Sequence, residues 1–60
     1  MLTLRIKTDN EAFQGDAGTE IARILRRLAG DLDGRDILPG ETFTLRDING
    51  NRVGAASVTS

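Results

Sequence analysis

Between Asp16 and Gly34 the apolar residues recur at helical spacing over several turns, and no other stretch limits the possible folds as much. Ile21, Ile24, Leu25, Leu28 and Leu32 return to one side of a helix of about 3.6 residues per turn. Ala22 and Ala29 widen the stripe, and Glu20, Arg23, Arg26, Arg27 and Asp31 take the opposite side. A helix of this kind must lay its stripe on another layer. Asp16 is the expected N-cap, since a short acceptor there takes up orphan amide donors of the first turn. The expected end lies near Asp33, with Gly34 as the left-handed residue beyond it.

The remaining chain supplies the second layer as a small sheet. Leu2, Leu4 and Ile6 alternate with Thr3, Arg5 and Lys7, the period-two pattern of a half-buried strand over about residues 2 to 8. Asp9 and Asn10 end that strand, and Phe13, the one large apolar residue of the following connection, plugs one end of the core. After the helix, Ile37 and Leu38 are expected to tuck under the sheet, and Pro39-Gly40 fits the centre of a type II turn. Phe43 and Leu45 then alternate with Thr42, Thr44 and Arg46, while Val53 and Ala55 alternate with Arg52, Gly54 and Ala56. The turn between them admits two registers. A two-residue Asn49-Gly50 loop sets Leu45 opposite Gly54 and Phe43 opposite Ala56; a type I turn opened by Asp47, with Gly50 left-handed, sets Leu45 opposite Val53 and Phe43 opposite Ala55. The second unites the larger apolar residues and is the expected one.

The expected fold is therefore α+β, a single β-α-β-β domain over residues 1–60 in which one amphipathic helix packs on a three-stranded sheet. Antiparallel pairing is the commoner kind, and the small residues Gly54, Ala55 and Ala56 suit a crowded centre, so the expected strand order is 2-3-1. At 60 residues a chain buries only about 60% of the surface that its unfolded form exposes. Cysteine and histidine are absent, so neither disulfides nor an ordinary zinc site can reinforce it, and no cofactor or metal is expected. Tight helix-on-sheet packing, a homodimer or docking on a larger partner remain as sources of further burial.

Composition excludes several function classes. Eight basic residues against nine acidic ones argue against a general polyanion binder and against an acidic mimic of nucleic acid. No apolar run approaches the roughly 20 residues of a membrane span, and the signal-peptide pattern is missing, so a cytoplasmic protein with no membrane partner is expected. The Met1 start is that expected of a complete small open reading frame. Ser57 and Ser60 have no evident base and the acids are scattered through connections, so an enzyme is not expected. The aspartates around Gly34 and Gly50 miss the ligand spacing of a calcium loop and read as a helix end and a turn.

Charge placement is more informative than charge balance. With the helix on one face, the other face of the sheet is expected to show Thr3, Arg5, Lys7, Thr42, Thr44, Arg46, Arg52 and Ala56, half the basic residues and no acid in mid-strand. Such a face suits phosphates or an acidic protein patch, or it merely solubilises an open sheet. Arg23, Arg26 and Arg27 form a second basic group on the exposed side of the helix, either a docking ridge or a solvated face. Both groups are candidate partner-binding residues.

The string Ile6-Lys7-Thr8-Asp9-Asn10-Glu11-Ala12-Phe13 and the hairpin Leu45-Arg46-Asp47-Ile48-Asn49-Gly50-Asn51-Arg52-Val53-Gly54, with the helix Glu20-Ile21-Ala22-Arg23-Ile24-Leu25 between them, resemble a group of short uncharacterised proteins encoded by phages and other mobile elements. The resemblance covers most of the chain and carries over no site residues. It implies a compact accessory protein of the host cytoplasm that binds a protein partner, by analogy with anti-CRISPR proteins that restrain a host defence component. The alternative is a small nucleic-acid-binding module using Arg5, Lys7, Arg46 and Arg52, less favoured because that face has no aromatic side chain to stack a base.

Overall fold

Alternating aliphatic and polar residues at the N-terminus form β1, Leu2–Ile6, in the computed structural model, which describes every residue from Met1 to Ser60. A short 3₁₀ turn, Glu11–Phe13, leads into α1, Ala17–Leu32, and the hairpin strands follow as β2, Thr42–Arg46, and β3, Arg52–Val58. The sheet is antiparallel throughout, in the order β1-β3-β2. This is the expected α+β arrangement with β3 in the centre.

Local chemistry sets the ends of α1 as expected. Asp16 Oδ1 accepts the Thr19 amide at 3.1 Å and Oδ2 accepts the Thr19 hydroxyl at 2.6 Å. Those two donations hold the Asp16 carboxyl below its ordinary pKa, the hydroxyl contributing most. At the other end Gly34 adopts φ +77°, a conformation that glycine takes without steric cost. The buried line along α1 is Glu20, Ile24 and Leu28, each one turn from the next. Glu20 was expected on the solvent side and Leu25 in the stripe; instead Glu20 is buried and Leu25 is 42% exposed. The helix is rolled so that the Glu20 carboxylate reaches the hairpin turn, which leaves Leu25 at the margin.

Phe13, Ile24, Leu28, Leu45, Val53 and Ala56 form the core, with Leu4, Ile6, Ile21, Leu32 and Phe43 packed around it. Phe13 closes one end as expected. Leu38 does not tuck under the sheet and is 64% exposed. Its backbone amide is drawn to Glu41 Oε2 at 2.7 Å, Glu41 also holds Arg35 at 3.0 Å, and the Arg35 guanidinium covers the Phe43 ring at 5.3 Å. An ion pair and a cation–π contact thus roof the place expected for Leu38. Within this connection Leu38-Pro39-Gly40-Glu41 closes through the Glu41 amide and the Leu38 carbonyl, with Gly40 at φ +94°, as a type II turn requires.

The expected hairpin turn forms, but the expected register does not persist. The Gly50 amide donates to the Asp47 carbonyl at 3.0 Å and Gly50 has φ +85°, and beyond the turn Arg46 lies opposite Arg52. The ladder then shifts, so that Leu45 pairs with Gly54 and Phe43 with Ala56, not with Val53 and Ala55. Val53 is the extra residue of a β-bulge, and a bulge turns consecutive side chains towards the same side. Leu45 and Val53 are therefore both buried without facing each other. The shift also exchanges two alanines: Ala56, expected on the outer face, is fully buried, and Ala55 takes its place between Arg5 and Thr44.

Gly54 makes this ladder possible. A Cβ built there would lie 1.9 Å from the Arg5 carbonyl oxygen, a backbone atom that cannot swing aside. Gly54→Ala must pry β1 from β3, and a loss of about 1–3 kcal/mol is expected, read as a lower midpoint in urea unfolding. The same substitution at Gly30, where an added Cβ meets nothing within 4 Å, is expected to stabilise the helix by up to about 1 kcal/mol.

Candidate functional site

The outer face of the sheet is built from three rows of side chains across the strands. Thr3, Ser57 and Thr42 make the first, and Arg5, Ala55 and Thr44 the second. At the hairpin end Arg46 pairs with Arg52, and Lys7 lies beyond on the far side, its amide donating to the Val53 carbonyl at 2.7 Å. Positive charge thus rises towards one end of the face. Arg5, Lys7 and Arg52 line a shallow depression of about 440 Å³ floored by Ile6, Val53 and Gly54. Both aromatic residues lie elsewhere: Phe13 in the core and Phe43 packed against it.

The ion pairs of the molecule are all away from this face. Arg23 pairs with Glu20, Arg27 with Asp31 and Arg35 with Glu41. Arg5, Lys7, Arg46 and Arg52 have no carboxylate partner, and the only side-chain hydrogen bond among the four runs from Arg46 Nη1 to the Gly50 carbonyl at 3.1 Å. All four sheet cations are exposed; Arg5, Lys7 and Arg52 line the one depression, while Arg46, opposite Arg52 in the ladder, lines the groove beside α1. Like charges directly opposite on a sheet repel, so the Arg46–Arg52 pair opposes folding rather than supporting it.

The helix cations do not form one group. Arg23 is half-buried and occupied, its Nε 2.7 Å from Glu20 Oε1 and its Nη2 donating to Glu20 Oε2 and to the Arg46 carbonyl. Arg27 makes a looser, exposed pair with Asp31 at 3.5 Å, and Arg26 is exposed without an ion pair. Arg23, Arg27 and Arg46 line a groove of about 340 Å³ between α1 and β2, beside the exposed Ile48.

The residues that periodicity could not single out are Glu20, Asp47 and Asn10. Asp47 accepts the Asn49 and Asn51 amides at 2.9 and 2.8 Å and the side-chain amides of Asn10 and Asn51 at 2.7 and 3.3 Å. Glu20 Oε2 accepts the Ile48 amide at 2.8 Å. Burial alone would push the Asp47 carboxyl up, but the donations from Asn51, Asn10 and Asn49 outweigh it and hold the pKa below 3.8. For Glu20 the Arg23 hydrogen bond is the largest influence; against burial and the nearby Asp47 charge, it and the Ile48 amide hold the pKa below 4.5. Glu20 in turn raises the Arg23 pKa, chiefly through that hydrogen bond. These acids brace the fold beneath the basic face. No three histidine, cysteine, aspartate or glutamate side chains are grouped to hold a metal ion. No helix is long and apolar enough to cross a membrane.

Comparison with protein-family models, with curated proteins and with solved structures gives no match for this chain.

Two measurements follow from this geometry. Glu20 and Asp47 are weaker proton binders folded than unfolded, so the folded chain binds fewer protons in acid and stability rises with pH across that interval. Their contribution is full above the ordinary values of 4.5 and 3.8 and is lost as pH falls through the lower folded values; thermal midpoints should drop there, and the double variant Glu20→Gln/Asp47→Asn should show a flatter profile. Arg52→Thr removes the cross-strand repulsion while keeping a good strand former, and a gain of about 0.2–1 kcal/mol is expected in urea unfolding at low salt.

Proposed function

We propose that this chain is an accessory protein of a phage or other mobile element that acts by binding a protein partner, inhibiting or modulating a host defence component in the manner of anti-CRISPR proteins. The observation that carries the binding reading is the segregation of charge: Arg5, Lys7, Arg46 and Arg52, half the cations, are exposed strand-end residues with no carboxylate partner, three of them around one depression, while every ion pair lies elsewhere. Natural sheets do use charged outer faces for solubility, but solubility is served as well by mixed signs, and a directly opposed arginine pair costs stability. A charged partner recovers that cost. Small size and the resemblance to mobile-element proteins support the source and the style of action, and the defence target rests on analogy.

Affinity capture from a bacterial lysate, followed by reconstitution with the purified candidate, tests the reading. One protein recovered in stoichiometric amount and rebound in isolation is the expected outcome; repeated capture of nothing specific would count against it. If the partner is a defence component, expression of the chain should raise phage plating on a host that carries that defence and leave plating on an undefended host unchanged.

A further inference from the structure

We infer that Arg5, Lys7 and Arg52, with Arg46 at the margin opposite Arg52, form an anion-binding face that takes a carboxylate-rich segment of a protein. The inference rests on the protein-binding reading and adds to it the location of the contact and the chemistry of the partner. Strands β1 and β3, neighbours about 4.8 Å apart, carry Arg5, Lys7 and Arg52, and β2 sets Arg46 opposite Arg52. Arg5, Lys7 and Arg52 converge on one depression, and its floor at Gly54 has no side chain to fill it. Guanidinium groups bind carboxylates as forks, so adjacent arginines suit adjacent carboxylates. Thr44 and Thr3 extend the face with hydroxyls that can donate to further acceptors.

The same observations favour an acidic protein segment over nucleic acid. Single strands are held by stacking on aromatic side chains, and Phe13 and Phe43 both pack on the core side. A duplex draws much of its affinity from long rows of phosphates, whereas the net charge is −1, with nine acids against eight bases. A face about 10 Å between its outer strands matches one strand or helix carrying a few carboxylates. Attraction is strong only where the opposed groups meet, which is how complementary charge selects a partner.

Fluorescence anisotropy with a labelled peptide of alternating glutamate and serine, beside a labelled DNA duplex of similar length, tests this at low and at physiological salt. The peptide should bind at low salt and weaken as salt is added. Lys7→Thr/Arg52→Thr should weaken it by about tenfold or more. Arg26→Gln/Arg27→Gln, which removes the same two charges from the helix, should change it by about twofold or less. Arg5→Thr provides an independent variant on the same face, and circular dichroism checks that each variant is folded. Absence of peptide binding, equal weakening by both double variants, or tighter binding of the duplex would each overturn the inference. A partner captured equally well by Lys7→Thr/Arg52→Thr would also overturn it while leaving the protein-binding reading intact.

Discussion

Two buried carboxylates, Glu20 and Asp47, hold together three parts of the chain that the apolar core alone leaves loosely joined. Glu20 belongs to the helix and grips the Ile48 amide of the hairpin; Asp47 belongs to the hairpin and grips Asn10 at the start of the 3₁₀ turn. Buried charge is costly unless each acceptor is supplied with donors. Here no buried side-chain nitrogen or oxygen lacks a partner. In a chain whose core is six residues, such a polar clamp adds directional contacts between helix, hairpin and 3₁₀ turn that aliphatic packing does not supply. The roll of the helix, the exposure of Leu25 and the engagement of Arg23 all follow from it.

The bulge at Val53 does the corresponding work in the sheet. On the turn side of it the pairing obeys the Asp47–Gly50 turn and places Arg46 against Arg52; on the other side the ladder advances by one residue and places Phe43 against Ala56. Both strands can thereby send an aliphatic residue inward at the join while keeping their arginines outward. Gly54 then lets β1 approach closely enough for its carbonyl to sit where a side chain would be. The opposed arginines and the well-filled interior are thus two sides of one irregularity.

Much of the architecture was legible because it rests on periodicity, which is a local property. The helix, its Asp16 cap and Gly34 terminus, the strand order and the exposure of Arg5, Lys7, Arg46 and Arg52 all follow from patterns spanning a few residues. What periodicity could not reveal depends on distant partners. Nothing near Glu20 announces that its acceptor will meet an amide 28 residues away, and the helical wheel alone assigns it to solvent. The pattern favours the register that pairs Leu45 with Val53, which holds only on the turn side of the bulge; along the ladder the other register, Leu45 with Gly54, is the one formed. Leu38 was misplaced for a similar reason: the Arg35–Glu41 pair that roofs Phe43 joins residues whose own neighbourhood looks like linker. Of the candidate cations, the sheet set was readable and the helix set only in part, since Arg23 is drawn away by Glu20.

The ends of the chain meet at the edge of the sheet remote from the hairpin. Met1 and Thr59 exchange backbone hydrogen bonds beside the Leu2–Val58 pair, four ladder steps from Ile6–Gly54. In a molecule 36 Å long and less than 20 Å across, any tether at either terminus therefore leaves from the end of the sheet that carries Thr3 and Thr42, away from the Arg46–Arg52 end. Immobilised or fused by either end, the protein presents the same tip to whatever approaches it.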